Sequence, residues 1–340
     1  MKIITLQGSV DEIGKQEAEL YKHNSDHFNT QVHKNTLNQQ LKVYLKHYPH
    51  LLKKYKVMAK CLKLPEKIVY QTFIVTDAQI KQNPNEKNSE KGCSIFGIRN
   101  KHGCFVGRNY DWSPNTNNYF KIFNVISYNT HSYIGISDMN VLPTSRKSLF
   151  FEPEDLINEK GLYIGLTFAY DNNWNFGLTP PHFMMLIAET CSTVNQALKL
   201  TAKTPLATPK NFFIADRHGH MAVVEHTSKE YKVILPEDNK LIHTNDYVNP
   251  ILSKEDTVLK VRPDTDSYIR YYEILQFLNK NKNDIEYHSI FRFLNSKATH
   301  VFEYNKRLST IWSLAMSMKR RRYKIGYHHK CRFRTQILKM

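Results

Sequence analysis

Paired cysteines are missing from this sequence. Its five cysteines, Cys61, Cys93, Cys104, Cys191 and Cys331, are scattered through 340 residues without a C-x-x-C pair. That excludes a zinc ribbon or a disulfide framework and predicts free thiols. No stretch of about 20 apolar residues is present to span a membrane. The opening MKIITLQGSVDEIGKQEAEL has only a short apolar run broken by polar residues, so it lacks the apolar core of a signal peptide. A soluble cytoplasmic protein is expected. Acidic residues are also short: 31 Asp and Glu face 48 Lys and Arg, a formal net charge of +17. The excess favours anionic partners such as coenzyme A esters, acidic lipids or nucleic acid, without choosing among them. There is no internal repeat and no low-complexity tract. With hydrophobic residues at 41%, a chain of this length can bury one large core or two smaller ones.

What is present falls into two parts. VDEIGKQEAELYKHNSDHFNTQVHKN and LNQQLKVYLKHYPHLLKKYKVMAKCLKLP carry apolar residues at helical spacing, the second run ending at Pro65. The polar stretch QNPNEKNSEKG, with Pro84 inside it and Gly92 at its end, reads as an exposed loop. From Cys93 the pattern changes. CSIFGIRN and CFVGRNYDW form a hairpin with Gly103 in its turn, and FKIFNVISYN, HSYIGIS, GLYIGLTFAY, NFFIADRHGHMAVVEHT and EYKVILP read as further strands. PPHFMMLIAETCSTVNQALKLT and DSYIRYYEILQFLNK read as amphipathic helices. STIWSLAMSMKRRRYKIGYHH reads as a strand, a basic turn and a second strand, with a loose tail beyond. Strands and helices in runs, rather than in alternation, favour antiparallel sheets with packed helices.

The segment KGCSIFGIRNKHGCFVGRNYDW, residues 91 to 112, holds the densest chemistry. A thiol attacks as the thiolate, which a nearby cation stabilises. In the hairpin, Cys93 and Arg108 lie on adjacent strands, and Asp111 follows closely enough to orient the arginine or bind an ammonium group. The same residues also fit a buried cysteine beside a surface ion pair. The loop before Cys93 adds an observation. Cleavage between Gly92 and Cys93 would give Cys93 a free α-amino group of pKa about 8, a base for its own thiol. Glycine before the cut leaves the carbonyl open to the neighbouring sulfur, and an exposed loop accommodates cleavage.

With these residues in view, the chain resembles the N-terminal-nucleophile hydrolases and, among them, the acyl-coenzyme A:6-aminopenicillanic acid acyltransferase family, relatives of the choloylglycine hydrolases and penicillin V acylases. LQGSVDEIGKQ is similar to that family's Gly-Ser opening, GCSIFGIRNKHGCFVGRNYDW to its nucleophile segment, and INEKGLYIGLTF to its Asn-Glu-x-Gly-Leu segment. IHTNDYVNP followed by SYIRYYEIL is similar to its Asn-containing loop and arginine helix. The resemblance implies an α+β fold, an αββα sandwich of two antiparallel sheets flanked by helices. Residues 1–92 would be a mostly helical leader and residues 93–340 the catalytic domain with a basic tail. It also implies that Cys93, freed after Gly92, forms an acyl-thioester. Arg108 would stand beside the thiol, Asp111 would bind the new amine, and Asn245 would donate to the oxyanion, where losing one donor costs about 3 to 4 kcal/mol. Arg270 matches a later arginine, and the Ser94 N–H is a further oxyanion donor.

Departures from the family pattern are specific. Thr167 or Phe168 stands where the hydrolases carry Asn or Tyr, which leaves the second oxyanion donor open, and the C-terminal GYHHKCRFRTQILKM lacks the family's Gly-x-Pro ending. His243, two residues before Asn245, reads as packing or pocket lining. His218 and His220 read as a hairpin turn, and adjacent His328 and His329 face opposite ways, so no metal and no cofactor is implied. Tyr110, Trp112, Tyr119 and Phe120 could shape an acyl pocket, though strand aromatics are usually core. KRRRYK, without a nucleic-acid-binding module, reads as a solvated turn. The expected substrate is a small-molecule linear amide or acyl thioester, with the cleaved chains staying associated and a homo-oligomer left open. The alternative is a catalytically silent relative that binds through its basic surface.

Overall fold

In the computed structural model the described residues are 3–22, 28, 32, 34–75, 92–114, 120–138, 153–169, 173–254, 256, 266–280, 283–303, 308–329 and 332–338. The polar stretch 82–91, Tyr119 and Cys331 lie outside them. The first strand, β1 (Ile3–Gly8), leads into α1 (Val10–Tyr21), followed by α2 (Lys34–His47), α3 (Pro49–Leu62) and α4 (Glu66–Ile74). The hairpin is β2 (Gly92–Asn100) and β3 (Gly103–Trp112). Next come β4 (Phe120–Ser127), β5 (Tyr133–Asp138), β6 (Pro153–Asn158) and β7 (Tyr163–Thr167). Helices α5 (Pro180–Thr190) and α6 (Val194–Thr201) precede β8 (Lys210–Ala215), β9 (Met221–His226), β10 (Tyr231–Ile234) and β11 (Lys240–His243). Then α7 (Ser267–Lys280) and α8 (Tyr287–Leu294) lead to β12 (Ser309–Ser317), β13 (Arg322–His329) and β14 (Arg332–Leu338).

The strands form an eight-stranded sheet, β1-β4-β5-β6-β7-β8-β9-β10, and a six-stranded sheet, β11-β2-β3-β12-β13-β14. Among the described strands every pairing is antiparallel except β1 with β4. Alternation along each strand gives each sheet two buried faces. The inner faces meet in one core that contains Cys93, Ile95, Val106, Tyr110, Ile122, Ile157, Phe213 and Trp312. The outer face of the larger sheet packs on α1 to α6. The outer face of the smaller one, through Phe96, Ile98 and Phe105, packs on α7 and α8. The layers are therefore helix, sheet, sheet, helix, as the αββα reading expected. Glycine makes the closest approach possible on both faces of the hairpin. A Cβ on Gly97 would fall 2.3 Å from Met221 Sδ, and one on Gly107 2.5 Å from Phe96 Cζ.

Several element boundaries differ from the sequence reading. The second helical run is two helices, because Pro49 has no N–H to continue α2 and instead opens α3. Cys191 is extended and Thr193 caps a new helix, which divides the 180–201 run into α5 and α6. Gly92 is no loop residue: it is buried at the start of β2. Beyond β13 the tail is a strand, β14, rather than loose chain. The basic turn Lys319 to Arg322 is exposed, as expected. The Gly-Ser landmark proves to be a helix start. Ser9 Oγ accepts from Glu12 N at 3.3 Å while Glu12 Oε2 accepts from Ser9 N at 2.7 Å, closing a capping box.

A buried clamp joins the N-terminal helices α2 and α3 to α5. Thr179 N–H donates to Tyr44 Oη at 3.1 Å, and the Tyr44 hydroxyl and His182 Nδ1 lie 2.6 Å apart. The opposite ring nitrogen, Nε2, lies 2.7 Å from Tyr55 Oη, so the ring bridges two tyrosine hydroxyls. Burial, with Lys54 adding to it, pushes His182 from 6.5 down to about 3. The unfolded chain therefore takes up the proton first as pH falls, and the stability this group contributes is complete above about pH 6.5 and lost progressively towards about pH 3. Urea unfolding should show a component of about 1.4 kcal/mol per pH unit across that window. His182→Gln, which keeps a donor and an acceptor, should remove the component; equal slopes for both proteins would mean that the ring carries its proton in the fold.

Candidate active site

The site forms where one strand ends. Strand β11 pairs with β2 only as far as His243 opposite Ile95. Continuing that register by two residues places Asn245 opposite Cys93, but the chain has left the ladder and side chains supply the missing hydrogen bonds. Cys93 N–H donates to Asn245 Oδ1 at 2.9 Å, and Arg270 Nη1 donates to the Cys93 carbonyl oxygen. Arg270 also donates to Ser94 Oγ at 3.0 Å and, through Nη2, to Asn245 Oδ1 at 2.9 Å. Both groups facing Asn245 Oδ1 are donors, and its Nδ2 faces the Phe168 carbonyl at 3.3 Å, so the amide orientation is fixed. The Asn245 backbone N–H donates to Ser267 Oγ at 3.1 Å, which ties the loop to the start of α7.

Strand alternation sorts the remaining residues. Cys93 lies opposite Tyr110, Ile95 opposite Arg108, and Gly92 opposite Asp111. Cys93, Arg108 and Tyr110 therefore share the inner face, while Gly92, Ser94 and Asp111 share the outer face with Arg270. The same alternation turns the Ser94 N–H, expected at the oxyanion, towards Asn109 in the ladder, because the Cys93 groups point the other way.

Arg108 is fully buried. Its Nε lies 3.3 Å from Asp155 Oδ1, and Asp155 in turn accepts from Tyr163 Oη at 2.6 Å and Trp312 Nε1 at 2.8 Å. Arg108 Nη1 donates to the Asn109 carbonyl at 2.9 Å, while Nη2 has no hydrogen-bond partner among the described residues. Burial pushes the Cys93 thiol up, and Arg108 pulls it down without cancelling that effect. On the outer face Asp111 Oδ1 accepts from Thr310 Oγ1 at 2.6 Å, whereas Oδ2 has no partner among the described residues. Burial raises Asp111 to about 6, opposed mainly by Arg270. A Cβ on Gly92 would sit 3.2 Å from that free oxygen, so glycine leaves the space beside it open. Arg270 Nε also donates to Asp266 Oδ1 at 2.8 Å, and Glu303, close to Asp266, is raised to about 9 by burial and by that neighbour.

Cys93, Arg108, Asp111, Asn245 and Arg270 thus converge on one strand end, with Phe168 one hydrogen bond further out. Thr167 and His243 lie close by, joined at 3.1 Å through Thr167 Oγ1 and His243 Nδ1. His218 and His220 stand apart, in a turn organised by Asp216, whose Oδ1 accepts the His218 N–H at 2.9 Å and the His220 N–H at 3.2 Å. Tyr110 and Trp312 stack with ring centroids 4.1 Å apart, and Phe120 packs on Trp312, which makes these aromatics core. Sequence reasoning missed Asp155, Asp266 and Glu225. Asp155 stands 47 positions from Arg108, and only the meeting of the two sheets brings them together.

Two mostly antiparallel sheets packed face to face between layers of helices are the fold of the N-terminal-nucleophile hydrolases. The chain belongs to the acyl-coenzyme A:6-aminopenicillanic acid acyl-transferase family, whose model matches residues 98–331. The matched span covers more than half of the chain and begins just past Cys93. Two solved structures illustrate the likeness. A conjugated bile acid hydrolase from Clostridium perfringens matches at 12% identity over 72% of this chain and 92% of that one, with a TM-score of 0.48. Penicillin V acylase from Agrobacterium tumefaciens matches at 14% identity over 72% and 86%, with a TM-score of 0.49. No curated protein matches the sequence. Among the described residues no helix is long and apolar enough to cross a membrane.

Removing Asp155 should expose how much the arginine depends on it. Asp155→Asn leaves a buried guanidinium without its counter-charge and should cost about 3 kcal/mol or more of stability, read from the urea midpoint at constant slope. A loss below about 1 kcal/mol, the range of solvated surface pairs, would show that Arg108 finds its compensation elsewhere.

Proposed function

We propose that this chain is a cysteine N-terminal-nucleophile amidohydrolase or acyltransferase, made as a precursor and matured by cleavage between Gly92 and Cys93. The observation that carries the reading is the Cys93 N–H held by a side chain, with an unpartnered buried carboxylate oxygen opposite the preceding residue. Asn245 Oδ1 already accepts its N–H, and the buried Asp111 Oδ2 stands unpartnered across from Gly92. A backbone amide needs only the first; an α-ammonium group would use both. Three buried or half-buried carboxyl groups, Asp111, Asp266 and Glu303, lie around the Arg270 guanidinium, and burial raises Asp111 to about 6 and Glu303 to about 9, so a new positive charge there would favour their ionised forms.

In maturation the Cys93 sulfur attacks the Gly92 carbonyl carbon, the C–N bond breaks, and the nitrogen takes the thiol proton. Water then hydrolyses the resulting thioester, leaving the Gly92 carboxylate and a free Cys93 amine. In turnover the α-amine accepts the thiol proton and the thiolate attacks the acyl carbon of an amide or thioester. The ammonium returns its proton to the departing amine or thiol. Water or an amine attacks the acyl-thioester with the α-amine as base, which releases acid or transferred product and restores the thiol. Arg108 stabilises the thiolate on the inner face, and the new ammonium adds to that effect. Arg270 and Asn245 position the residue, and the remaining Asn245 amide hydrogen is available to an oxyanion. The leader stays associated after cleavage because β1 pairs with β4 and the Tyr44–His182–Tyr55 clamp spans both parts.

Intact-mass spectrometry of the purified protein beside Cys93→Ala tests the reading. The wild type should give two fragments meeting at Gly92-Cys93, and the variant a single chain of 40.0 kDa. An uncut wild type under folding conditions would instead favour a silent relative that binds through its basic surface.

A further inference from the structure

A run of cations leads from the β12–β13 turn into β13. Lys319, Arg320, Arg321 and Arg322 are all exposed, and among the described residues none of them, nor Lys324 just beyond, pairs with a carboxylate. Exposed lysines elsewhere on the molecule do pair, Lys53 with Asp11 and Lys160 with Glu159, both at 3.1 Å. The β2–β3 turn lies against this one, since the Met318 N–H donates to the Cys104 carbonyl at 3.0 Å. The acidic residues there are taken up by that other turn, Asp284 standing 3.2 Å from Lys101 and Glu286 3.9 Å from His102. Arg321 has a φ of +49°, in the left-handed region where glycine or asparagine is less strained. Folding alone therefore favours another residue at that position.

Apolar side chains continue the patch along the sheet edge. In the β13–β14 ladder Lys324 lies opposite Ile337 and Gly326 opposite Thr335, so Phe333, Thr335 and Ile337 share the outer face of β14, the edge strand. Phe333 is 44% exposed and Ile337 49%. Lys324 Nζ stands 4.1 Å from the centre of the Phe291 ring on α8, and that ring lies 6.3 Å from Phe333. Arg292 is exposed on the flank of α8 turned away from α7, because Phe293 on the other flank stacks on Phe277 at 4.1 Å. Cations and exposed apolar side chains thus occupy one corner of the molecule.

The two kinds of side chain together narrow the partner. A phosphodiester backbone would neutralise the cations but leave Ile337 and Phe333 in water. A bilayer offers phosphate headgroups to the first and acyl chains to the second. The basic turn also lies beside the Asn100 end of β2, about 23 Å along the strand from Cys93, so a surface held there leaves the Cys93 end uncovered.

We infer that this corner is a docking surface for an anionic lipid bilayer, with Lys319 to Arg322, Lys324 and Arg292 meeting the headgroups and Phe333 and Ile337 entering the acyl boundary. The inference is independent of the acyl-transfer reading, and a chain uncut at Gly92-Cys93 binds in the same way.

Co-sedimentation of the full-length protein with vesicles tests it. Equimolar phosphatidylglycerol and phosphatidylcholine should bind the protein, phosphatidylcholine alone should not, and added salt should weaken the binding. Each cation at such a surface contributes about fivefold in partitioning, so Arg320→Gln combined with Arg322→Gln should cost about 25-fold. Arg321→Asn suits the left-handed backbone and should cost about fivefold while keeping the urea midpoint, which separates lost binding from lost folding. Lys42→Gln combined with Lys60→Gln removes the same charge from α2 and α3, on the opposite side of the sandwich, and should leave binding within about twofold of wild type. Brominated acyl chains should quench the added fluorescence of Phe333→Trp relative to wild type. Equal losses from the two double variants would mean that net charge and not this corner holds the protein, and would overturn the inference. Failure of the mixed vesicles to bind, or a Phe333→Trp signal that bound brominated lipid leaves unquenched, would overturn it as well. A short single-stranded DNA that binds as tightly as the vesicles, with Ile337→Ser weakening neither, would make the corner a nucleic-acid site instead.

Discussion

One interrupted hydrogen-bond ladder governs the site. Had β11 continued for two more residues, backbone groups of residue 245 would have paired with Cys93 and the position would be ordinary sheet. The chain departs after His243, and the N–H and C=O of Cys93 face side chains instead, Asn245 for the first and Arg270 for the second. Ladder partners cannot distinguish an amide from an amine. An asparagine oxygen with an aspartate nearby can accept either, so on the proposed reading this strand end would tolerate a change in the covalent state of its own backbone. Ser267 at the start of α7 and Glu225 on β9 hold the departing loop from opposite sides.

The two faces of the hairpin divide the electrostatic work. On the inner face a buried arginine is compensated by one aspartate that also accepts from a tyrosine and a tryptophan, which leaves the guanidinium fixed in direction and one of its nitrogens without a hydrogen-bond partner among the described residues. On the outer face the balance is reversed, with carboxylates in excess around Arg270 and burial holding Asp111 and Glu303 partly neutral. A thiol on the first face and a nitrogen on the second belong to the same residue, Cys93. On the acyl-transfer reading, the thiolate meets positive charge and the ammonium meets negative charge without either group having to move.

Much of this was legible in the sequence where local rules decide. The hairpin followed from two apolar strands joined by Lys101-His102 with Gly103 behind them, and its alternation put Cys93 and Arg108 on one face. The layer order followed from strands and helices arriving in runs. Legibility failed where distant segments meet. Asp155 and Glu225 carry no local signal, since an acidic residue in a strand, whether beside Glu154 or alone among apolar residues, looks like a surface position until its partner sheet is known. Continuous apolar periodicity also concealed the breaks at Pro49 and at Cys191 to Thr193, because either neighbouring helix satisfies the same pattern. The C-terminal strand was hidden by its basic residues, which an edge strand carries readily on its solvent side.

The buried polar groups themselves argue between an enzyme and a silent binding relative. A buried arginine–aspartate pair contributes little net stability, and an apolar replacement of similar volume is commonly as stable or more so. The Asp111 oxygen without a hydrogen-bond partner among the described residues adds a cost of its own, since Arg270 and Thr310 offset the burial of that carboxyl group only in part. A protein that acts only through its basic surface has no use for either beside an inaccessible thiol, and mutation would be free to replace them with leucine or valine. On the proposed reading, the pair, the unpartnered oxygen and the glycine that keeps space beside it at one strand end would all serve one event, the release of a positively charged α-amino group at Cys93.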